Sequence, residues 1–308
     1  MARKVLSRPR TTDAPARGFE TSLRRIIMAL NFSVNTNAPS LDALQQLTLT
    51  NIDLAETQNR VNSGLEIRSA EDNAAVFAIA QNLRAEFEGF LAVNTSLDRA
   101  ISALDIGIAA SESIQDLLID MKERVVAAAD VGLDQESRDA LQLDYEALRD
   151  QINIIVANAE FNGTNLVSTA TADIISAITN ADATNTIVVS HQTLQLTAAP
   201  GPVIELADNS TFTSAAEAQS LITSINNSIA NLSDVLTNFG AGAASLDRQR
   251  LFTQELLDTI EVGIGNLVDA DLARESANLQ ALQVQQQLGT QALSIANSAP
   301  SVILSLFA

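Results

Sequence analysis

The segment Ser69–Phe90, SAEDNAAVFAIAQNLRAEFEGF, predicts the start of a long helix and decides the fold class. Ser69 and Asp72 have the spacing of a capping box, in which each side chain accepts a hydrogen bond from the backbone N–H of the other residue. The Ala-rich sequence that follows has a high helix propensity and continues without proline to about Ala129, before a break at Gly132–Asp134. A helix of this length predicts a mainly α-helical protein.

Two further segments carry apolar residues at steps of three and four, the period of an amphipathic helix. The first stripe contains Leu141, Tyr145, Leu148, Ile152, Ile155 and Ala159. The second contains Ile222, Ile225, Ile229, Leu232, Leu236 and Phe239, and it resumes at Leu257, Ile260, Ile264 and Leu267. We expect the glycines of GAGAAS (residues 240–245) and VGIGNL (residues 262–267) to break this second helix.

Both ends of the chain are also predicted to be helical. Residues 41–62 contain neither glycine nor proline, and the Ser63-Gly64 pair that follows is typical of a helix C-terminus. Within residues 269–300, positions 272, 279, 286 and 293 are seven apart, as in a coiled coil, but polar and small residues are mixed into the seam. Such a helix is suited to contacts with several neighbours, and an ordinary two-helix hairpin explains the same pattern equally well.

Residues 168–213 differ in composition from the rest of the chain, because they are rich in Thr, Ala, Asn and Asp. TIVVSHQTLQLT (residues 186–197) predicts a strand, and PGPVIEL (residues 200–206) predicts a turn that leads into a second strand. The fold class is therefore predicted to be mainly α, with long antiparallel helices, a coiled-coil-like terminal pair and a small β-rich segment.

The charge distribution excludes two classes of partner. The net charge of the chain is −19; the first 27 residues hold seven Arg or Lys and two acidic residues, a charge of +5, which leaves −24 on the other 281. A surface this acidic repels the phosphates of nucleic acids and anionic membranes. No apolar run reaches the roughly 18 residues of a membrane span. We therefore expect neither nucleic acid nor membrane as a partner.

The sequence lacks the groups that most enzyme sites need. It has no cysteine and one histidine, His191, which lies in a Thr-rich predicted strand where a surface position is far more common than a catalytic one. A G-x-S-x-G elbow, an H-E-x-x-H zinc motif and a G-x-x-x-x-G-K-[ST] phosphate loop are all missing from it. We expect no catalytic residue, no cofactor site and no metal site, and so no enzyme.

Three stretches together resemble bacterial flagellin. Residues 28–87, MALNFSVNTNAPSLDALQQLTLTNIDLAETQNRVNSGLEIRSAEDNAAVFAIAQNLRAEF, resemble the N-terminal region of that family, and AEFNGTNLV (residues 159–167) resembles its FNG turn. Residues 267–307, LVDADLARESANLQALQVQQQLGTQALSIANSAPSVILSLF, resemble its C-terminal region. One departure is Val76-Phe77, which stands where the family usually has a Gly-Leu-like pair, although the apolar stripe survives.

The resemblance implies a structural subunit that polymerises into the flagellar filament for swimming and is exported unfolded by the flagellar type III apparatus. The filament lies outside the cell, and no cleaved signal peptide is expected. Residues 28–66 plus 270–308 would form inner-tube terminal helices, 67–167 plus 214–269 a helical outer-tube domain, and 168–213 a short variable β-rich outer segment. The implied partners are many copies of the chain itself, an export chaperone, and junction and cap proteins.

Two sets of residues receive roles from the resemblance. Apolar residues at both ends are expected to pack in the inner tube: Leu44, Leu47, Ile52, Leu272, Leu279, Leu282 and Leu293. Flagellins that a vertebrate toll-like receptor detects carry a Gln-Arg pair ahead of a basic-Glu pair. Here Ile119-Asp120 precedes Lys122-Glu123. Because an acid in place of Arg reverses the charge of that contact, we expect weak or absent receptor activation. The resemblance to flagellins of lineages that share this departure also implies an alphaproteobacterial source.

Two other functions fit part of this pattern: a hook–filament junction protein of the same apparatus, and an acidic helical secreted adhesin. The presence of both terminal signatures favours the filament subunit. Residues 1–27 resemble nothing in the family, and we predict that the working subunit starts at Met28 or Ala29. The rival interpretation is that these basic residues form a genuine disordered arm.

Overall fold

The computed structural model describes residues 36–168 and 174–304, with side chains as far as residue 298. The described elements, in chain order, are α1 (Ala38–Ser63), α2 (Ala70–Ala128), α3 (Gln135–Asn158), β1 (Ile174–Ile178), β2 (Thr186–Ser190), α4 (Ala215–Val268) and α5 (Leu272–Leu304). The predicted fold class, mainly α with a small β-rich segment, is confirmed. Residues 1–27 and the predicted start at Met28 or Ala29 lie outside the described residues.

The chain divides into two compact units. Within the described residues, the terminal unit contains α1 and α5 and meets the central unit, Ser69–Val268, at Arg68 and Asp269.

The caps that the sequence predicts are present at the helix ends. Gly64 ends α1 with a φ of 72°, a left-handed conformation that glycine adopts without strain, and its N–H donates to Arg60 O at 2.9 Å. Ser69 and Asp72 form the predicted capping box at the start of α2. Asn73 interrupts the helix directly afterwards (φ −160°), and its side chain accepts hydrogen bonds from two backbone N–H groups of the resumed helix.

Helices α2 and α4 pack antiparallel and form most of the core of the central unit. Two contacts show the opposite directions of the helices. Arg250 Nη1 of α4 lies 3.6 Å from Asp98 Oδ1 of α2, whereas Phe239, earlier in α4, packs beside Gly107, later in α2. The buried core residues that these two helices contribute include Leu97, Leu104, Ile114, Leu118, Leu232 and Leu246. Helix α3 returns antiparallel to α2 after the loop at residues 129–134, as predicted, and buries Tyr145, Ile152 and Val156.

The predicted glycine breaks in α4 are wrong, because the helix continues without interruption from Ala215 to Val268. At Gly242 the physical reason is close packing. A Cβ added there would lie 3.0 Å from Val189 Cγ2, so the missing side chain makes room for β2. Glycine in a helix costs about 1 kcal/mol relative to alanine, and packing of this kind offsets that cost.

The small sheet is a hairpin in which β1 and β2 pair antiparallel, from Ile174 opposite Ser190 to Ile178 opposite Thr186. The sequence did not predict β1, and the predicted strand at 186–197 stops at Ser190. Beyond it the backbone bonds elsewhere, since Gln192 N donates to Leu166 O at 2.8 Å. The second strand predicted after residues 200–206 is wrong, because no strand is assigned there among the described residues.

Candidate functional site

The terminal unit is an antiparallel pair of helices. Three hydrogen bonds spread along the pair fix its register: Asn37 Nδ2 to Ala296 O (2.8 Å), Gln286 Nε2 to Asn51 Oδ1 (2.7 Å) and Ala270 N to Gly64 O (2.8 Å). Arg60 Nη1 adds a weak ion pair with Glu275 Oε1 at 3.8 Å. Polar contacts therefore set the alignment of α1 and α5.

Apolar packing within this pair is thin. The helices approach closely at Gly289, where the side chain of Leu47 occupies the space beside the glycine. A Cβ added to Gly289 would lie 3.2 Å from Leu47 Cδ1. Only Leu54 and Thr57 of α1 are buried, and no residue of α5 is buried as far as its side chains are described. The described part of the terminal unit therefore has almost no interior of its own.

Large apolar side chains of the terminal unit point into solvent. Those that are at least about half exposed are Leu41, Leu44, Leu49, Ile52, Leu272, Val284, Leu288 and Ile295. Full burial of one such side chain contributes about 1.5–3 kcal/mol, so much of this stabilisation is unused in the single chain. Clustered exposed apolar residues mark a surface that contacts another molecule.

The structure divides the seven predicted packing residues into two groups. Leu44, Ile52 and Leu272 are exposed and available to a neighbour. The other four are half-buried: Leu47, Leu279, Leu282 and Leu293. The second group can contribute to pairing within one chain, whereas the first group faces away from it.

The predicted receptor-contact residues lie together on one turn and a half of α2. Ile119, Asp120 and Glu123 are exposed, and Lys122 is half-buried. The neighbouring Arg124 reaches toward Asp144 of α3, with Nε 4.0 Å from Oδ2. The exposed side chains of this stretch are therefore one apolar and two acidic residues.

A buried polar contact that the sequence did not predict holds the 197–213 loop against α3. Tyr145 is fully buried, its hydroxyl lies 2.8 Å from Ser210 Oγ, and its ring meets Phe212 edge-on at 5.5 Å. Arg149 Nη1 donates to Ser210 O at 2.8 Å. Burial raises the pKa of Tyr145 above its ordinary 10.0. Periodicity placed Tyr145 on the inner face of α3, but nothing in the sequence identified Ser210 as its partner.

His191, the one histidine, is half-buried and directly follows β2. Within the described residues, His, Cys, Asp and Glu side chains form no group of three that could hold a metal. The same part of the chain has no helix that is long and apolar enough to cross a membrane.

The sequence matches two family models that describe helical regions of flagellins. The bacterial flagellin N-terminal helical region matches residues 34–172, and the bacterial flagellin C-terminal helical region matches residues 222–307. The chain belongs to the bacterial flagellin family. The resemblance of the terminal sequences is thereby confirmed, and since flagellins are structural filament proteins, so is the prediction that this chain is not an enzyme.

Relatives of this flagellin come from alphaproteobacteria. It is 44% identical over 280 residues to flagellin FljK of Caulobacter vibrioides, which covers 91% of this chain and 100% of that protein. It is 36% identical to a flagellin of Brucella melitensis, over 89% of this chain and 99% of the relative. Among solved structures, a protein described as flagellar hook-associated, from Vibrio parahaemolyticus, has a similar fold (TM-score 0.52, 15% identity, 64% of this chain and 100% of that one).

Proposed function

We propose that this flagellin polymerises into an extracellular flagellar filament for swimming and is exported unfolded by the flagellar type III apparatus. The observation that carries the proposal is the terminal unit, whose two long helices have almost no interior and expose apolar residues on both. Isolated helices are marginal in water, so neighbouring copies are the natural source of the missing burial. A head-to-tail contact that does not close into a ring generates a helical filament.

Within this filament we assign residues 28–66 plus 270–308 to the inner tube and 67–167 plus 214–269 to the outer tube. Residues 168–213 form the outermost part. Support comes from the exposed apolar residues of the terminal helices and the self-sufficient core of the central unit. Assembly in the cell also requires an export chaperone, junction proteins and a cap, which we propose as partners.

Two properties of the chain suit export in an unfolded state. The absence of cysteine means that no disulfide can close the chain before transit. The terminal unit gains much of its stability only when neighbours cover it, so it resists unfolding little before assembly.

The assembly test uses an exposed position, so that loss of polymer is separated from loss of fold. Ile52→Asp places a charge on a side chain that is 57% exposed in the single chain. We expect normal helix content in the monomer but no long filaments by negative-stain electron microscopy after seeding or salting-out. Gln58→Asp, at another exposed position of α1, is the matched control and should polymerise. Normal filaments from Ile52→Asp would contradict the proposal.

A second variant probes the half-buried group. Leu279→Asp is expected to disrupt the α1–α5 pair as well as assembly, so both helix content and filament yield should fall. Normal yield from this variant would exclude Leu279 from filament packing.

We also propose that this flagellin activates the vertebrate toll-like receptor weakly or not at all. The supporting feature is the exposed Asp120 at the position where detected flagellins carry Arg. A receptor reporter assay with purified monomer should give little response, and the double substitution Ile119→Gln/Asp120→Arg should raise it. A full response to the wild-type monomer would refute the proposal.

The hook–filament junction protein remains the second candidate from the sequence. The likeness to the Vibrio structure concerns the fold alone, whereas relatives with 36–45% identity over about nine-tenths of the chain are flagellins. Long uniform filaments from the purified protein alone would favour the filament subunit.

A further inference from the structure

A groove crosses the central unit between the middle of α2, the turn at residues 161–164 and the edge of β1. Its volume is about 300 Å³. The residues that line it include Ser96, Arg99, Phe161, Thr164, Ile174 and Ser176. Arg99, Ile174 and Ser176 are exposed, so the groove opens to solvent on that side.

Alternate backbone groups of β1 point away from β2, toward this groove. Thr179 N donates to Asn185 O at 3.0 Å across the hairpin, whereas Ile178 N donates away from β2, to Ser96 Oγ at 3.3 Å. In an antiparallel pair, residues alternate between those that bond to the partner strand and those that do not. The backbone N–H and C=O groups of Ile178 therefore point to the outer edge of the hairpin, away from β2.

By the same alternation, the backbone N–H and C=O groups of Ile174 and Ser176 also point to the outer edge. Their positions opposite Ser190 and Val188 are non-hydrogen-bonded pairs in the register of the hairpin. Neither residue has a backbone partner on the outer side within the described part of the chain. The outer edge of β1 is therefore open at Ile174 and Ser176, whereas Ser96 of α2 closes it at Ile178. An open strand edge is a template for pairing with another polypeptide.

Arg99 lies beside this edge of β1. Arg99 makes no ion pair or hydrogen bond with any described residue, while its neighbour Asp98 pairs with Arg250 at 3.6 Å. The guanidinium group is a rigid fork of donors that matches a carboxylate. The guanidinium of Arg99 therefore offers an acidic group a charge-assisted hydrogen bond beside the strand edge.

We propose that the groove binds an acidic segment of a second copy of this chain. The backbone of that segment pairs with Ile174 and Ser176, and one of its carboxylates pairs with Arg99. Charge complementarity favours a second copy, since the partner it requires is rich in carboxylates and every copy carries an excess of them. The proposal rests on the polymerisation proposed above, because polymerisation brings copies into contact.

Site-directed cross-linking tests this contact, because the natural chain has no cysteine. Ser176→Cys is labelled with a benzophenone maleimide, polymerised and irradiated, and the cross-linked peptides are identified by mass spectrometry. We expect products between position 176 and one acidic segment of a different copy. Their yield should fall on the order of tenfold when Arg99→Glu is added, since a hydrogen-bonded charge pair is lost. Arg99→Lys should retain part of the yield.

Ser190→Cys, exposed on the neighbouring strand, is the matched control, and any products from it should not depend on residue 99. If the wild-type chain forms no filaments, the proposed function and this contact both fall. Two results would overturn the contact alone and leave the filament function standing. In the first, filaments form but position 176 gives no inter-subunit product; in the second, the yield of that product is unchanged by Arg99→Glu.

Discussion

The two units of this flagellin are both built from long antiparallel helices, yet they bury apolar residues very differently. In the central unit, Leu104, Ile114 and Met121 of α2 are fully buried by α3, α4 and the loops. In the terminal unit, Leu54 is the one buried apolar residue of α1. Helical periodicity identifies an apolar face in each case, but only the central unit covers that face within a single chain. Stability of the central unit is therefore a property of the monomer, and stability of the terminal unit depends on neighbours.

The largest effect is expected from a cavity in the central unit. Ile114→Ala should lower the free energy of unfolding of the monomer by about 2–5 kcal/mol, through lost burial and an unfilled cavity. Ile119→Ala, on the same helix at a side chain that is 51% exposed, should change it by less than about 0.5 kcal/mol. Urea denaturation of unpolymerised protein measures both values. Equal losses would mean that the contrast between covered and exposed faces is wrong.

Arg138→Ala should have the next largest effect, about 2–3 kcal/mol in the same assay. The buried guanidinium donates to three backbone carbonyls around the end of α2, those of Ala128, Asp130 and Leu133, at 3.0–3.2 Å. Removal takes this donor away from the carbonyls of Ala128 and Leu133, whereas Asp130 O keeps its bond from Leu133 N at 3.2 Å. Arg248→Ala, which removes an exposed Arg with no ion pair among the described residues, is the control and should be nearly neutral. A similar loss from both variants would rule out a special role for Arg138.

Tyr145→Phe should cost about 1 kcal/mol, because it keeps the ring and removes the hydrogen bond to Ser210. Thermal or urea unfolding of the monomer measures the loss. Filament yield should be unchanged, since this contact lies inside the central unit. A loss of polymer without a loss of monomer stability would contradict this assignment.

Alkaline pH tests the same contact without substitution. The pKa of Tyr145 is raised in the folded state by burial, so the unfolded phenol loses its proton first as pH rises past about 10. Stability from the protonated phenol is present below that pH and is lost above it. The chain has one tyrosine and no tryptophan, so phenolate absorbance reports on Tyr145 alone. A titration midpoint that is the same in native and denatured protein would contradict a buried hydroxyl.

The smallest expected effect is a gain in the stability of the monomer. Ala183, at the tip of the β1–β2 hairpin, has a φ of 54°, a left-handed conformation that costs a residue with a side chain about 1 kcal/mol. Ala183→Gly should therefore raise the melting temperature of the monomer slightly. Ala199→Gly, in a loop without a positive φ, should lower it slightly by adding freedom to the unfolded chain. The reverse order would exclude backbone strain at the hairpin tip.

Local signals in the sequence were sufficient for the helix ends. Gly64, the capping box at Ser69 and the loop at residues 129–134 all depend on residues within a few positions of one another. The unbroken α4 and strand β1 could not be predicted in this way. Gly242 is tolerated because Val189 packs against it, and β1 forms by pairing with β2 and by the bond from Ile178 N to Ser96 of α2. Such tertiary contacts override local propensity.

The apolar residues of the terminal helices could be predicted from the sequence, but not which of them are exposed. The sequence placed leucines on both terminal helices, but which of them face the partner helix depends on contacts such as Asn37 with Ala296, 259 positions apart. The groove beside β1 could not be predicted for the same reason, because Arg99 and Ser176 line one groove only when the hairpin packs on α2.

Hydrogen–deuterium exchange on monomer and filament tests most directly the claim that the terminal unit is stabilised by assembly. Backbone amides of the central core, such as those around Ile114 and Ile152, should be protected in both states. Amides of α1 and α5 should exchange quickly in the monomer and become protected by orders of magnitude in the filament. Terminal helices that are already as protected as the central core in the monomer would contradict the account.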